Sequence, residues 1–490
     1  MSGPGDGRLS PEPILQAFEA ARGAIVDLER SVVVGPDALR GAGDDLSAAL
    51  AADGVGAGDV YLLAVGNGPM FVTTLAAILR CGGSPLLLHA DSPPAELARN
   101  ARRYGARGLV TDSHTPAALA EAGFTGRSVS CGEWGGGVLA SFENTEGPEL
   151  GLALGDAVPL HPTSGTTGLP KLAVRPGAAA VAEARHYIDT ISIDARDTIL
   201  CAIPMSHAYG YGMAVMVPLL SGATVLSMRR FDARTAAQAL AKHSVTVYPS
   251  VPATLDLLLY EAGDGLPAPR CITSAGAPLP DRIAAAVNSR WGATVRPLYG
   301  TTETGGIAVA RPDHDPKATA SVGPPMRGVS ARLQSGSDAG SDADAGQLWI
   351  SSPSVMAGYL SSEGIDVSHV ADGWFNTGDL ARLDAAGNIN LRGRASEVIN
   401  VFGNKVLPSE VEEVIGLLPE VVEVKVYAAS NRWGSNSVKA AVVASDGLAA
   451  ADVKSHCRRH LVSYKQPQRI TMLEKLPRSP AGKIVLSQLP

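Results

Sequence analysis

Aromatic residues, paired cysteines, blocks of charge and long apolar runs are all scarce in this chain of 490 residues. Aromatic residues make up 5%, and the five cysteines are scattered without a CxxC pair, which argues against a disulfide framework or a structural zinc site. The net charge of -7 includes no block of like charge, so neither nucleic acid nor an anionic membrane is expected as a partner. No apolar run reaches the length of a membrane span and no signal peptide is recognised, so we expect a cytoplasmic protein.

The patterns that are present predict an α/β fold. Through the first four hundred residues, short apolar runs such as 60–65 and 245–249 alternate with Ala-rich helical stretches such as 233–242. A compact βα pattern with its own periodicity then begins at Arg394. We therefore predict a large multilayer α/β domain over residues 1–393, followed by a small α+β domain over residues 394–490.

The segment PTSGTTGLPK at 162–171 is dense in hydroxyl groups and glycines and ends in a lysine. Glycines let backbone N–H groups approach an anion closely, and the hydroxyls and Lys171 add donors and positive charge. The segment is not a Walker A loop, because GK[ST] never occurs in the chain. It predicts a polyphosphate site, with an ordinary polar loop as the alternative.

Further segments, together with this one, resemble the motifs of the adenylate-forming superfamily of acyl-CoA synthetases, nonribosomal adenylation domains and luciferases. They are YGTTETG at 299–305, WFNTGDL at 374–380, GRASEVINVFGNKVLPSEVE at 393–412 and LPRSPAGKI at 476–484. The resemblance covers nearly the whole chain. It implies an acid–thiol ligase that couples a carboxylic acid to ATP, releases pyrophosphate, and passes the acyl group from the adenylate to a thiol.

The resemblance assigns roles to individual residues. Catalytic roles fall on Thr302, Glu303, Arg394, Lys483 and His207. ATP and AMP binding is implied for Thr163, Ser164, Gly165, Thr166, Thr167, Gly168, Lys171, Ala275, Gly276, Ala277, Pro278, Tyr299, Gly300, Thr301, Thr302, Asp379, Arg394 and Lys483. Glu303 and Thr167 are the implied Mg²⁺ ligands, and hard oxygen donors suit that ion. Negative charge gathers on the reacting carboxylate and phosphate, so a cation such as Lys483 is the expected source of catalysis.

PMSHAYGYG at 204–212 resembles the start of the family's acyl pocket, where His207 stands beside the carboxylate. The implied lining residues are His207, Gly210, Tyr211, Gly276, Gly300, Gly305 and Ile307. Family members that activate amino acids carry an aspartate in this region, and none lies between residues 204 and 221, so the resemblance argues against an amino acid. Members that activate salicylate-like acids carry an asparagine where this chain has Ala208, which argues against such acids. Small residues at Gly210, Gly212, Ala214, Ala275, Gly305 and Gly306 predict a roomy apolar pocket and a bulky hydrophobic acid.

The resemblance also implies that the C-terminal domain is mobile. Its hinge matches Ser396, and after rotation Asn400 and Gly403 are expected on the side of the thiol. Because no carrier domain follows Lys483, free coenzyme A is the predicted acceptor. ATP, Mg²⁺ and coenzyme A are therefore the expected cofactors and co-substrates.

Two other functions stay open at this point. One is a stand-alone adenylation enzyme that loads a separate carrier protein, and the other is a non-catalytic nucleotide-binding homologue. The presence of Lys171, Glu303, Asp379, Arg394 and Lys483 together argues against the second. The sequence is also compatible with a homodimer.

Overall fold

The computed structural model describes residues 9–130, 134–142, 156–163, 171–313, 321–334, 345–361, 363–394, 399–401, 404–406, 408–430, 436–445, 447–461, 465–478 and 483–490. The helices are α1 Glu12–Glu19, α2 Pro36–Ala52, α3 Pro69–Arg80, α4 Pro94–Tyr104, α5 Pro116–Ala120, α6 Gly177–Ile191, α7 Ala208–Gly210, α8 Val217–Ser221, α9 Ala233–Lys242, α10 Pro252–Glu261, α11 Asp281–Trp291, α12 Pro408–Gly416 and α13 Ala450–His460. The strands are β1 Ile25–Asp27, β2 Val32–Val34, β3 Val60–Ala64, β4 Ser84–Leu87, β5 Ala106–Thr111, β6 Phe124–Ser130, β7 Gly136–Phe142, β8 Leu160–Thr163, β9 Lys171–Val174, β10 Thr198–Cys201, β11 Thr224–Ser227, β12 Val247–Ser250, β13 Cys271–Ser274, β14 Val295–Thr301, β15 Gly305–Val309, β16 Ser330–Gln334, β17 Gly346–Ser351, β18 Gly358–Ser361, β19 Gly364–Asp366, β20 Val370–Ala371, β21 Trp374–Leu383, β22 Ile389–Arg394, β23 Ile399–Val401, β24 Asn404–Val406, β25 Val421–Ser430, β26 Asn436–Ala444 and β27 Arg469–Met472.

The chain divides into two compact units. The first comprises Met1–Ser330 and Ile350–Phe375, and the second comprises Ala331–Trp349 and Asn376–Pro490. The second unit thus takes in chain on the N-terminal side of the predicted boundary at 393/394. That boundary stays a prediction, because a division by contacts does not locate a hinge.

Two large sheets organise the first unit. One is eight-stranded in the order β15-β14-β13-β12-β10-β11-β1-β2. Its strands run parallel from β14 to β1, with the antiparallel strands β15 and β2 at the edges. Helices α9, α10 and α11 cover it with an apolar core that includes Leu240, Leu255 and Val287. Helix α9 begins at a local cap, where Asp232 Oδ1 accepts a 2.7 Å hydrogen bond from Thr235 N.

The other large sheet is nine-stranded in the order β19-β18-β9-β8-β4-β3-β5-β7-β6. Strands β8, β4, β3 and β5 are parallel, while β9, β18 and β19 continue the sheet in antiparallel pairs. The near-continuous apolar sequence of β3 is buried at every position, as a strand covered on both faces requires. These two sheets, with their crossover helices, confirm the predicted α/β fold class.

The second unit is smaller and has its own core. Strands β16, β17, β21 and β22 belong to one five-stranded sheet, β23 and β24 form a hairpin, and β25, β26 and β27 form a three-stranded sheet. Val411 of α12, Val453 of α13 and Val442 of β26 are buried together. Across the ranges that the structure describes, no helix combines the length and the apolarity that a membrane crossing needs.

Candidate active site

The carboxyl ends of the parallel strands in the eight-stranded sheet gather the predicted site segments. His207 follows β10, the turn 275–278 follows β13, and Tyr299 and Thr301 form the end of β14. In an open parallel sheet, ligands bind in the crevice at this edge because loops from adjacent strands converge there. The site predicted for the acid, adenine and phosphates therefore lies where the topology favours a binding site.

The predicted phosphate loop falls between two paired strands. Thr163 at the end of β8 pairs with Lys171 at the start of β9, and the residues between them, Ser164 to Gly168 with Thr167 included, lie outside the described residues. The Lys171 ammonium lies 3.3 Å from Nε2 of His369 and 4.9 Å from the ring centroid of Tyr359. A cation at this distance from an aromatic face is attracted by the ring quadrupole. The lysine that ends the loop is therefore held in place by β18 and the segment that follows β19.

Glu303 stands in the three-residue turn 302–304 between β14 and β15. Gly305 closes the turn with φ +71°, which a glycine adopts without strain. The Tyr359 hydroxyl donates a 2.6 Å hydrogen bond to Oε1 of Glu303. Because its ring also contacts Lys171, Tyr359 connects the predicted phosphate-binding lysine to the predicted magnesium ligand. Sequence reasoning missed Tyr359 and His369, which lie in none of the quoted motifs.

The carboxylate of Glu303 suits the ion that the resemblance implies. Mg²⁺ binds through one or two carboxylates plus substrate phosphates and keeps several of its waters. Over the described part of the chain, no group of three or more His, Cys, Asp or Glu side chains could form an all-protein metal cage. The site thus fits a metal that arrives with the nucleotide, and Glu303 is the residue that would hold it.

A chain of hydrogen bonds connects helix α6 to the turn 302–304, which contains Glu303. Nε2 of His186 lies 2.9 Å from the Ser352 hydroxyl, which lies 2.9 Å from the Ser354 hydroxyl. Ser354 Oγ donates a 2.7 Å bond to the carbonyl of Thr304. Burial lowers the pKa of His186, so the imidazole at the start of the line is neutral near pH 7. The residue next to Glu303 is therefore held by groups distant in sequence.

The turn 275–278, which is predicted to contact the adenine, is exposed on one side and has a buried polar group next to it. Ala275 is buried, whereas Gly276, Ala277 and Pro278 are exposed. Gly276 has φ +82°, and the atom nearest to the position of an added Cβ is a methyl of Val251 at 3.8 Å. The hydroxyl of Ser274, just before the turn, is buried and has no hydrogen-bond partner within the described structure. An open turn above an unpaired hydroxyl fits a planar base with polar edges.

The remaining predicted nucleotide residues lie in the second unit. Asp379 is buried in β21 directly opposite Arg394 in β22, so the predicted ribose and phosphate residues are neighbours on paired strands. The Thr377 hydroxyl fixes the backbone at Asp379. It donates to the Leu348 carbonyl at 2.9 Å and accepts from the Asp379 amide at 3.1 Å. The side chain of Arg394 lies outside the described structure.

The C-terminal lysine and the thiol-side residues also belong to the second unit. Lys483 is exposed, and its loop is closed by a bridge between Arg478 and Ile484. The predicted hinge Ser396 and the predicted tunnel glycine Gly403 lie outside the described residues. For Asn400 only the backbone is described, in the hairpin of β23 and β24. The roles assigned to these four residues stay predictions.

Four glycines of the predicted acyl pocket lie against other parts of the protein, where a side chain would not fit. A Cβ added to Gly210 would lie 2.0 Å from the carbonyl oxygen of Pro204. The same addition at Gly212 would lie 2.6 Å from Oε1 of Glu183, at Gly305 2.3 Å from the Glu183 carboxyl carbon, and at Gly306 2.6 Å from the Tyr187 ring. These four glycines allow close packing of protein on protein, so their small size is no evidence for a roomy pocket, and that pocket stays a prediction. Ile307 and Tyr211 are fully buried.

Comparison with known proteins identifies the family. The family model for AMP-binding enzymes matches residues 39–360, and the model for the C-terminal domain of AMP-binding enzymes matches residues 410–483. The chain belongs to the AMP-binding enzyme family. The indoleacetate–CoA ligase of Aromatoleum aromaticum is 32% identical over 353 residues, which cover 67% of this chain and 68% of that protein. The sulfoacetate–CoA ligase of Cupriavidus necator is 30% identical over 461 residues, covering 90% of this chain and 88% of the relative.

Solved structures agree on the fold. The o-succinylbenzoate coenzyme A synthetase of Bacillus subtilis, in complex with ATP and a magnesium ion, superposes with a TM-score of 0.81 at 24% identity, covering 97% of this chain and 98% of that one. An amide bond synthetase from Marinactinospora thermotolerans gives a TM-score of 0.79 at 23% identity, with 97% and 98% covered. The predicted family, fold class and enzyme class are confirmed, and ATP, Mg²⁺ and coenzyme A agree with the names of these relatives.

Proposed function

We propose that the protein is an ATP-dependent carboxylic acid–coenzyme A ligase that works through an acyl-adenylate. The observation that carries the proposal is the contact line from Lys171 through Tyr359 to Glu303. It brings a phosphate-binding cation and an oxygen ligand for a divalent ion together at the carboxyl edge of a parallel sheet. CoA ligase relatives that cover most of the chain support the same reaction.

In the first step, the carboxylate oxygen of the acid attacks the α-phosphorus of ATP and pyrophosphate leaves. Lys171 and the loop before it hold the leaving phosphates, and Glu303 would hold Mg²⁺, which would neutralise phosphate charge. We assign Thr302, beside Glu303, as a donor to the α-phosphate. Lys483 supplies positive charge to the oxygens on which negative charge develops, and such stabilisation is the main source of catalysis in phosphoryl chemistry.

In the second step, a thiolate attacks the carbonyl carbon of the adenylate and AMP leaves. We assign the acceptor as coenzyme A, with Asn400 and Gly403 on its path and Ser396 as the hinge. A carrier protein presents the same pantetheine thiol, so it is the second candidate acceptor. His207 is exposed at the start of α7, where it can contact the acid.

The test is ATP–pyrophosphate exchange across a panel of acids that includes bulky hydrophobic ones, followed by addition of coenzyme A or a carrier protein. Exchange is expected to require an acid, and Lys483→Ala is expected to lower it by about 10²–10³. Lys475→Ala is the matched control, because Lys475 is an exposed lysine in the same part of the chain. Equal loss in both variants, or no exchange with any acid, would contradict the proposal. Thioester formation with the carrier protein alone would reassign the acceptor.

A further inference from the structure

Four polar residues form a cluster inside the first unit, between helix α6 and strands β8 and β9. This buried polar cluster consists of His161, Arg175, Glu183 and Tyr211, and none of the four side chains reaches solvent appreciably. Nη2 of Arg175 donates to Oε2 of Glu183 at 2.7 Å, with both side chains 0% exposed. The rings of His161 and Tyr211 meet edge to face at 5.0 Å. Gly212 follows Tyr211, and a Cβ added to it would lie 2.6 Å from Oε1 of Glu183, so the two pairs are neighbours and form one cluster.

Most polar atoms of the cluster lack a hydrogen-bond partner. Within the described structure, Nε and Nη1 of Arg175, both ring nitrogens of His161 and the Tyr211 hydroxyl are buried and unpaired. Buried polar groups in native proteins are nearly always paired, and leaving one unpaired is costly. Here the unpaired atoms are mostly N–H and O–H donors, while Arg175 and Glu183 cancel in charge. The group that would complete the cluster is therefore an oxygen acceptor.

The cluster lies directly behind the segment predicted to hold the acyl group. Oε1 of Glu183 accepts a 3.2 Å hydrogen bond from the Gly306 amide, two residues beyond the turn that holds Glu303. The Tyr211 amide donates to the carbonyl of His207 at 2.8 Å, and the His207 side chain is close enough to act electrostatically on His161. The cluster is thus linked both to His207 and to the segment after Glu303, which are the two places where the acid is predicted to bind.

We propose that the buried polar cluster binds a hydrogen-bond-accepting oxygen group, a ketone or a second carboxylate, on the acyl part of the acid substrate. The inference rests on the proposed ligase function and names its substrate class. A purely hydrocarbon acid would leave the Arg175 and Tyr211 donors unpaired. A site built to hydrogen-bond a substrate group discriminates strongly against the analogue that lacks it, because its own buried polar groups are then unsatisfied. An oxygen-bearing acid is therefore preferred to the bulky hydrocarbon acid that the small residues suggested.

The substitution Tyr211→Phe tests this with little risk to folding, because it removes a hydroxyl that has no partner in the described structure. Tyr248→Phe is its matched control. Tyr248 is also fully buried with an unpaired hydroxyl, but it lies in the apolar core of the eight-stranded sheet. Both variants are expected to unfold at or above the wild-type temperature without substrate, since neither loses a hydrogen bond.

The assay compares kcat/KM for ATP–pyrophosphate exchange among acids of equal chain length that end in a methyl group, a ketone or a carboxylate. Wild-type protein is expected to favour one oxygen-bearing acid over the methyl-ended acid, and which one it favours separates a ketone from a carboxylate. Tyr211→Phe is expected to lower that preference about tenfold, whereas Tyr248→Phe leaves it at the wild-type value.

Three results would overturn the inference. If Tyr211→Phe and wild type prefer the oxygen-bearing acid over the methyl-ended acid to the same extent, the cluster forms hydrogen bonds with buried water and not with the substrate. Exchange with methyl-ended acids alone would show that the pocket takes hydrocarbon acids, with the ligase function itself intact. No exchange with any acid would remove the proposed ligase function and this inference together.

Discussion

Replacing Arg175 by methionine is expected to lower the free energy of unfolding by about 3–5 kcal/mol. Arg175 and Glu183 are joined at 2.7 Å, and both side chains are 0% exposed. Methionine fills much of the same volume but leaves the Glu183 carboxylate buried without its cation. The large cost comes from that uncompensated charge rather than from the loss of favourable energy in the pair, since desolvation offsets most of the attraction.

The size of the effect depends on burial, and a second ion pair provides the control. Arg282 meets Asp256 at 2.6 Å, with side chains 66% and 44% exposed. Arg282→Met makes the same chemical change where water can solvate the remaining carboxylate, so it is expected to cost at most about 1 kcal/mol. The double variant Arg175→Met with Glu183→Leu removes both buried charges and is expected to recover most of the loss.

Urea unfolding followed by tryptophan fluorescence measures all three variants against wild type. Because the chain has two compact units, the transition of the first unit must be resolved before a free energy is assigned. A cost below about 1 kcal/mol for Arg175→Met would refute the reasoning, because the buried carboxylate would then be solvated or protonated at little expense. A double variant no more stable than Arg175→Met would show that packing, not charge, dominates.

Three further predictions follow from the described contacts. Tyr359→Phe keeps the ring but removes the hydrogen bond to Glu303, so KM for MgATP should rise about tenfold, and Tyr359→Ala should raise it further in the same exchange assay. Burial holds the pKa of His161 well below its usual value of 6.5, so the unfolded chain binds the proton first as the pH falls. Stability should therefore decline below about pH 6.5 by up to about 1.4 kcal/mol per pH unit, and His161→Phe should flatten that decline in urea titrations; an unchanged slope would contradict this. Gly305→Ala should destabilise more than Gly387→Ala in thermal unfolding, because both residues have positive φ but only the new Cβ at Gly305 meets another residue, at 2.3 Å; equal shifts would mean that backbone strain alone matters.

Periodicity predicted the secondary structure well where local sequence determines it. The helical stretch predicted at 233–242 coincides with α9, and the apolar run 245–249 contains most of β12. Both patterns arise from side chains that must face a core at fixed spacing, which a single segment of sequence records. The resemblance singled out Glu303 and Lys171, and both contact Tyr359 in the structure, while their roles stay predictions.

Contacts between distant segments could not be predicted in the same way. Tyr359 approaches Glu303 because β18 pairs with β9, and no local pattern records which strands become neighbours. The scarcity of aromatic residues offered one weak signal, since each tyrosine then has a greater chance of a specific role. His369 had no comparable signal, because a single histidine in a polar segment matches many surface positions.

The glycines show most clearly why small residues alone do not predict a roomy acyl pocket. In helix α6, Glu183, His186 and Tyr187 are spaced at i, i+3 and i+4 and therefore share one face. That face supports the segment 304–306. Glu183 accepts a hydrogen bond from the Gly306 amide, and His186 is connected through two serine hydroxyls to the Thr304 carbonyl. Side chains this large can approach a strand so closely only where the strand carries no Cβ. The glycines of β15 and the polar stripe of α6 are thus two halves of one contact, and a small residue indicates an open pocket only when nothing opposite it fills the space.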